Sequence, residues 1–119
     1  MNKIYYLSTC STCNRIISEL EINAEQFEMQ EIKSDSITES QLNNLKDISG
    51  SYESLFSRRS MKFRPLGLHD MELSEADYKK WILEEYTFLK RPVIVIEGRI
   101  FVGNSKNVIE ATRLEMSLL

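Results

Sequence analysis

Towards the end of the 119-residue chain stands "RPVIVIEGRIFVG", residues 91–103. Val93 to Ile96 is an unbroken β-branched run, and a strand without polar alternation is one covered on both faces. Glu97-Gly98 predicts a tight turn, from which Arg99 to Val102 return antiparallel until Gly103 breaks the strand. An inner strand of this kind needs strand neighbours at its edges and helices over its faces, so the rest of the chain has to supply them.

It does so in order. "KIYYL", residues 3–7, is short, aromatic and apolar, as a buried strand should be. From about Cys13 the period changes: Ile16, Ile17 and Leu20 form the stripe of an amphipathic helix running to about Glu21. "EQFEMQEI", residues 25–32, alternates Phe27 and Met29 with polar neighbours and reads as a second strand. Strand, helix and strand at this spacing form a βαβ unit with parallel strands.

The middle is helical. Ser36-Ile-Thr-Glu39 fits a capping box, followed by Leu42, Leu45 and Ile48 at helical spacing and by Gly50 as a stop. Short helical pieces are expected at 52–57 and 60–65. Ser74-Glu-Ala-Asp77 caps another helix, with Tyr78, Trp81 and Ile82 on one face. A closing helix over 105–116 carries Val108, Ile109 and Thr112. The predicted fold is therefore α/β: a four-stranded mixed sheet flanked by helices, in the order β-α-β, helical insertion, β-β-α. We expect one domain over 1–119, with the insertion at about 36–86.

Composition narrows the function. With 42% hydrophobic and 28% charged residues the chain reads as a soluble globular protein. A formal charge of −3 and a pI near 5.2 argue against direct nucleic-acid binding, which needs clustered Lys and Arg. No apolar run approaches the roughly 20 residues of a membrane span, and "MNKIYYLS" lacks the features of a signal peptide. A cytoplasmic location is expected, where static disulfides are uncommon. In that setting the C-x-x-C of "YLSTCSTCNR", the chain's two cysteines, reads as redox or metal chemistry.

Cys10 and Cys13 fall at the junction of the first strand and the first helix. Unsatisfied N–H groups and the positive end of the helix dipole stabilise a thiolate there. Cys10 is then the candidate nucleophile and Cys13, one turn on, the resolving thiol. Arg15 is near enough to add positive potential or to be simply solvated. Structural zinc wants four ligands, and only His69 is available to join the two thiols. Two buried core thiols are the other alternative.

Three stretches together resemble the arsenate reductase/Spx (ArsC-like) family of the thioredoxin-like fold: "IYYLSTCSTCNR", "LFSRRSMKFRPLGL" (residues 55–68) and "LKRPVIVIEGRIFVG" (residues 89–103). The resemblance implies a thioredoxin-like fold with a helical insertion, and a cis Pro92 that brings Arg91 beside Cys10. It implies a thiol-dependent reductase in which Cys10 attacks a small oxyanion such as arsenate, or a thiol or disulfide substrate. Arg59 and Arg91 would hold the oxyanion, with Arg58 a rival to Arg59 because the match can slip by one residue. No bound cofactor and no metal is expected, and glutathione, glutaredoxin or thioredoxin would donate electrons. The further arginine that arsenate reductases carry after the hairpin has no counterpart here, where Val102 and Gly103 stand. The Spx branch, which shares C-x-x-C and the Val-Gly hairpin end, implies a redox-sensing regulator that binds the C-terminal domain of the RNA polymerase α subunit.

Overall fold

In the computed structural model, which describes residues 2–119, the N-terminal apolar run is a strand, β1 (Asn2–Tyr6). It leads into α1 (Ser11–Glu19) and β2 (Phe27–Glu31). β1 and β2 are parallel, in register from Asn2↔Phe27 to Tyr6↔Glu31. The β-branched run forms β3 (Val93–Ile96) and turns through Glu97-Gly98 into β4 (Arg99–Val102). Both turn residues have positive φ, 49° and 77°, the backbone twist that suits a two-residue hairpin. β3 runs antiparallel to β1 and to β4, giving the strand order β2-β1-β3-β4. The sheet is mixed and four-stranded with β3 inside it, as its apolar sequence requires.

The chain forms two compact units. The first joins the segment up to Asp35 with that from Arg91 onward, and holds the whole sheet, α1 and the closing helix α4 (Lys106–Met116). Ile4, Ile94 and Ile96 from the sheet pack with Ile16 of α1 and Leu20 at its C-cap, with Ile22 and Phe27, and with Ile109 of α4. Burying each such side chain contributes about 1.5–3 kcal/mol, so this cluster is the main support of the unit. α1 stops two residues sooner than its periodicity suggests. Glu21 takes the left-handed conformation at φ 55°, and the Ile22 N–H folds back to the Ile17 carbonyl at 2.9 Å.

The second unit, Ser36–Lys90, contains α2 (Glu39–Ser49) and α3 (Glu75–Glu84). The capping box of α2 is Thr38 with Gln41, not Ser36 with Glu39. Both fit the motif, but only the Thr38 cap places buried Ile37 before it and buried Leu42 at the fourth helical position, the arrangement of a hydrophobic staple. Ser74 and Asp77 cap α3 as expected, and Gly50 ends α2 at φ 99°. The piece expected at 52–57 is a 3-10 turn, Glu53–Leu55, followed by Phe56 in an isolated bridge to Leu89. The piece expected at 60–65 is instead part of a chain of turns over 61–67, since Pro65 has no N–H to donate to a helical ladder. Phe56 anchors the unit: its ring stacks on Phe88 at 5.0 Å and meets Tyr78 at 4.9 Å and the edge of Phe63 at 6.1 Å.

Candidate thiol site

β1 ends at Tyr6, and buried Leu7 is followed by exposed Ser8 and Thr9. The Cys10 N–H closes this turn on the Leu7 carbonyl at 3.0 Å. Cys10 is the N-cap of α1, with φ −89° and ψ 111°. Its sulfur accepts from the Cys13 backbone N–H at 3.5 Å, doing with Sγ what a serine cap does with oxygen. Cys13 lies one turn into the helix with no exposed surface.

The two sulfurs are consequently in opposite states. Partial burial works against ionising Cys10. It is outweighed by hydrogen bonds from Cys13 and from the Thr12 backbone and by the charge of Arg91, so the thiol is more acidic than usual. For Cys13, burial dominates and is reinforced by its bond to the Cys10 sulfur, pushing it up to about 11. Cys10 is the sulfur that ionises, while Cys13 stays a thiol and a donor. No disulfide joins the two in this structure.

Arg91 and Pro92 come from the segment entering β3. The Arg91–Pro92 peptide bond is cis, Pro92 is buried, and its carbonyl accepts from Gly103 N–H at 2.9 Å. Pro at the start of a strand removes no ladder hydrogen bond. The structure thus brings Cys10, Cys13, Arg91 and Pro92 into one unit. Arg15 belongs to it too, but on the exposed side of α1, where it pairs with Glu19 at 3.6 Å.

Arg59 belongs to the other unit, in the turns after Phe56, exposed and without an ion pair among the described residues. Its neighbour Arg58 is engaged: the guanidinium donates to Glu53 at 2.8 Å and to the Tyr78 hydroxyl at 2.6 Å, and lies 5.5 Å from the Tyr78 ring centre. His69 sits in a 3-10 turn, Leu68–Asp70, beside Asp70 at 3.3 Å. Among the described residues no group of three or more His, Cys, Asp or Glu side chains is placed to hold a metal ion.

Sequence reasoning missed the residues that hold the thiol loop. Glu31, the last residue of β2, accepts from the Ser8 N–H at 2.8 Å and the Ser8 hydroxyl at 3.0 Å. From α1, the Asn14 side chain donates to the Ser8 carbonyl at 2.9 Å. A signal for Glu31 was present: parallel strands end side by side, so the last residue of the second strand borders the loop that leaves the first.

No described helix is long and apolar enough to cross a membrane. The sheet order and its helices match solved structures with a thioredoxin-like fold. An arsenate reductase from Vibrio cholerae superposes with a TM-score of 0.71 at 23% identity, over 92% of this chain and 95% of that one. A protein designated YFFB superposes with a TM-score of 0.75 at 22% identity, over 93% of this chain and 97% of its own. In sequence, the chain is 29% identical over 102 residues to the global transcriptional regulator Spx 2 of Bacillus anthracis, covering 84% of this chain and 77% of that protein. The ArsC family model matches residues 5–112, which span the thiol loop, the arginine segment, the hairpin and most of α4. The chain belongs to the ArsC family.

Proposed function

We propose that the chain is a thiol-dependent oxidoreductase with Cys10 as nucleophile and Cys13 as resolving thiol. The observation that carries this reading is the opposed state of the two sulfurs: one an acidified helix cap, the other a buried thiol bonded to it. On a disulfide substrate, the Cys10 thiolate attacks one sulfur and the other departs as a thiolate. Cys13 then loses its proton and attacks the Cys10 sulfur, expelling the bound half of the substrate and closing a Cys10–Cys13 disulfide. Glutathione, glutaredoxin or thioredoxin returns two electrons and two protons to restore the thiols.

With arsenate, the Cys10 sulfur displaces an arsenate oxygen, which leaves as water. Glutathione then attacks the Cys10 sulfur, forming a mixed disulfide and passing the electron pair to arsenic, which departs as arsenite. Arg91 offsets charge on the oxyanion as its sulfur bond forms. Arg59 is the second guanidinium of this reading, and Arg58, already bound to Glu53 and Tyr78, is the poorer candidate.

Turnover of arsenate in a glutathione/glutaredoxin-coupled assay tests the oxyanion reading. We expect it to fall to background in Cys10→Ser and to weaken by about tenfold or more in Arg91→Ala, as loss of one charge-assisted contact implies. Wild-type turnover no higher than that of Cys10→Ser would remove arsenate as substrate. The thiol chemistry has its own test in pH-dependent alkylation: a Cys10 value at the roughly 8.5 of a free thiol would remove the redox reading altogether.

The sequence likeness to an Spx regulator favours a second reading, in which the same thiol pair is a redox switch for a binding surface. The partner would be the C-terminal domain of the RNA polymerase α subunit. Titration calorimetry against that domain should then give an affinity that changes on oxidation. Absence of heat in both redox states would eliminate it.

A further inference from the structure

We propose that Glu31 is a positioning residue for the thiol, holding the loop that leaves β1 so that Cys10 is presented as the cap of α1. The inference rests on the reading of Cys10 as the working thiolate. Its basis is the way the carboxylate is shared. One oxygen takes the Ser8 N–H and hydroxyl, at 2.8 and 3.0 Å. The other takes the Lys33 and Ser34 N–H groups, each at 2.9 Å, and the Ser34 hydroxyl at 3.1 Å. Glu31 thereby ties the thiol loop to the turn that follows its own strand.

The anchor is firm because β2 is in register with β1 up to Tyr6↔Glu31, and the Ile32 N–H continues the ladder to the Tyr6 carbonyl at 2.9 Å. Ser8 is held from both sides: Glu31 binds its N–H, and Asn14 on α1 binds its carbonyl. Only Thr9 separates this clamp from Cys10. Release of Ser8 would free the backbone angles that bring the Cys10 sulfur to the Cys13 N–H.

The clamp does not titrate in the working range. Slight burial raises the Glu31 carboxyl, but the bonds from Ser8 and Ser34 outweigh it and bring it to about 2. An ionised carboxylate near a thiol also has a direct effect, which is to disfavour the thiolate. Positioning and direct charge therefore predict opposite signs for the loss of Glu31. Removing a negative charge makes Cys10 more acidic, whereas removing a clamp makes it less so.

The test is the pH profile of Cys10 alkylation in the full chain carrying Glu31→Gln, Ser8→Ala or Asn14→Ala, with circular dichroism as the check on folding. At about pH 6 we expect Glu31→Gln to slow alkylation about three- to tenfold, the change that an upward displacement of half to one pH unit produces. Ser8→Ala should act in the same direction but less, because the Ser8 N–H still reaches Glu31. Unchanged or faster alkylation in folded Glu31→Gln overturns the proposal. If Glu31→Gln fails to fold, Asn14→Ala decides, since it loosens the same peptide from α1 with Glu31 intact, and there too an unchanged profile overturns it. A wild-type Cys10 with ordinary acidity would instead sink the reading beneath, so the two failures are distinguishable.

Discussion

The thiol loop, residues 7–14, and the arginine segment, residues 57–68, both carry the side chains on which the proposed chemistry rests, but they are held by different forces. Between buried Leu7 and buried Cys13 the thiol loop is polar. Ser8, Thr9 and Asn14 are exposed, and hydrogen bonds to Glu31 and from Asn14 fix the peptide before Cys10. The arginine segment hangs on aromatic packing, beginning at fully buried Phe56 and ending at Leu68, 1% exposed. Its turns can be irregular because their ends are fixed by burial. The difference bears on what each segment does with charge. Polar anchoring in the thiol loop, on the positioning role proposed for Glu31, also bears on the protonation of a sulfur. In the arginine segment, one guanidinium serves the packing and its neighbour is left to solvent.

The largest effect expected is on the aromatic anchor. Phe56→Ala should cost about 3–5 kcal/mol in urea unfolding, the range for deleting a fully buried ring. A loss under about 1 kcal/mol would mean that the arginine segment is supported by something other than Phe56. Next, Arg58→Ala should lower stability by about 1 kcal/mol through its lost bond and stacking on buried Tyr78. Arg59→Ala should change it by no more than about 0.5 kcal/mol, as for other surface positions. Equal losses from the two arginines would erase the contrast between them.

The last effect belongs to the thiol loop and is read from pH. Glu31 titrates at about 2 in the folded chain against an ordinary value of 4.5. The unfolded chain therefore takes up this proton first as acid is added. The stabilisation is fully present above about pH 4.5 and is lost as pH falls towards 2. Glu31→Gln should flatten the acid limb of stability in that window, and curves that stay parallel to wild type through it would show that the clamp contributes nothing to folding.

Much of the fold was legible because it depends on neighbours in sequence. The β-branched run of β3, the Glu97-Gly98 turn and the changing period around α1 all rest on local steric preferences. Two errors show the limit. Ser36 and Thr38 each open an acceptable capping motif, and only tertiary burial of Ile37 and Leu42 chooses Thr38. The end of α1 was blurred because Glu21 occupies a left-handed position where a glycine would have announced the stop. The candidate site divides in the same way. Cys10 as a cap follows from its place between strand and helix. Parallel pairing points to the end of β2, but singling out Glu31 there takes the register of β1 and β2. The contrast between Arg58 and Arg59 emerges only once Glu53 and Tyr78 are folded around the first of them.

The complete burial of Cys13, one helical turn inward from a half-exposed Cys10, limits how the chain can form covalent adducts. Although the sequence offers two thiols, a bulky electrophile or a partner's sulfur meets a molecule with a valence of one. Excess reagent should not raise the stoichiometry while the chain stays folded. In the proposed chemistry the inner sulfur controls duration: as the resolving thiol it sets how long an adduct on the outer one survives, so the pair would act as a single attachment point with a built-in clock.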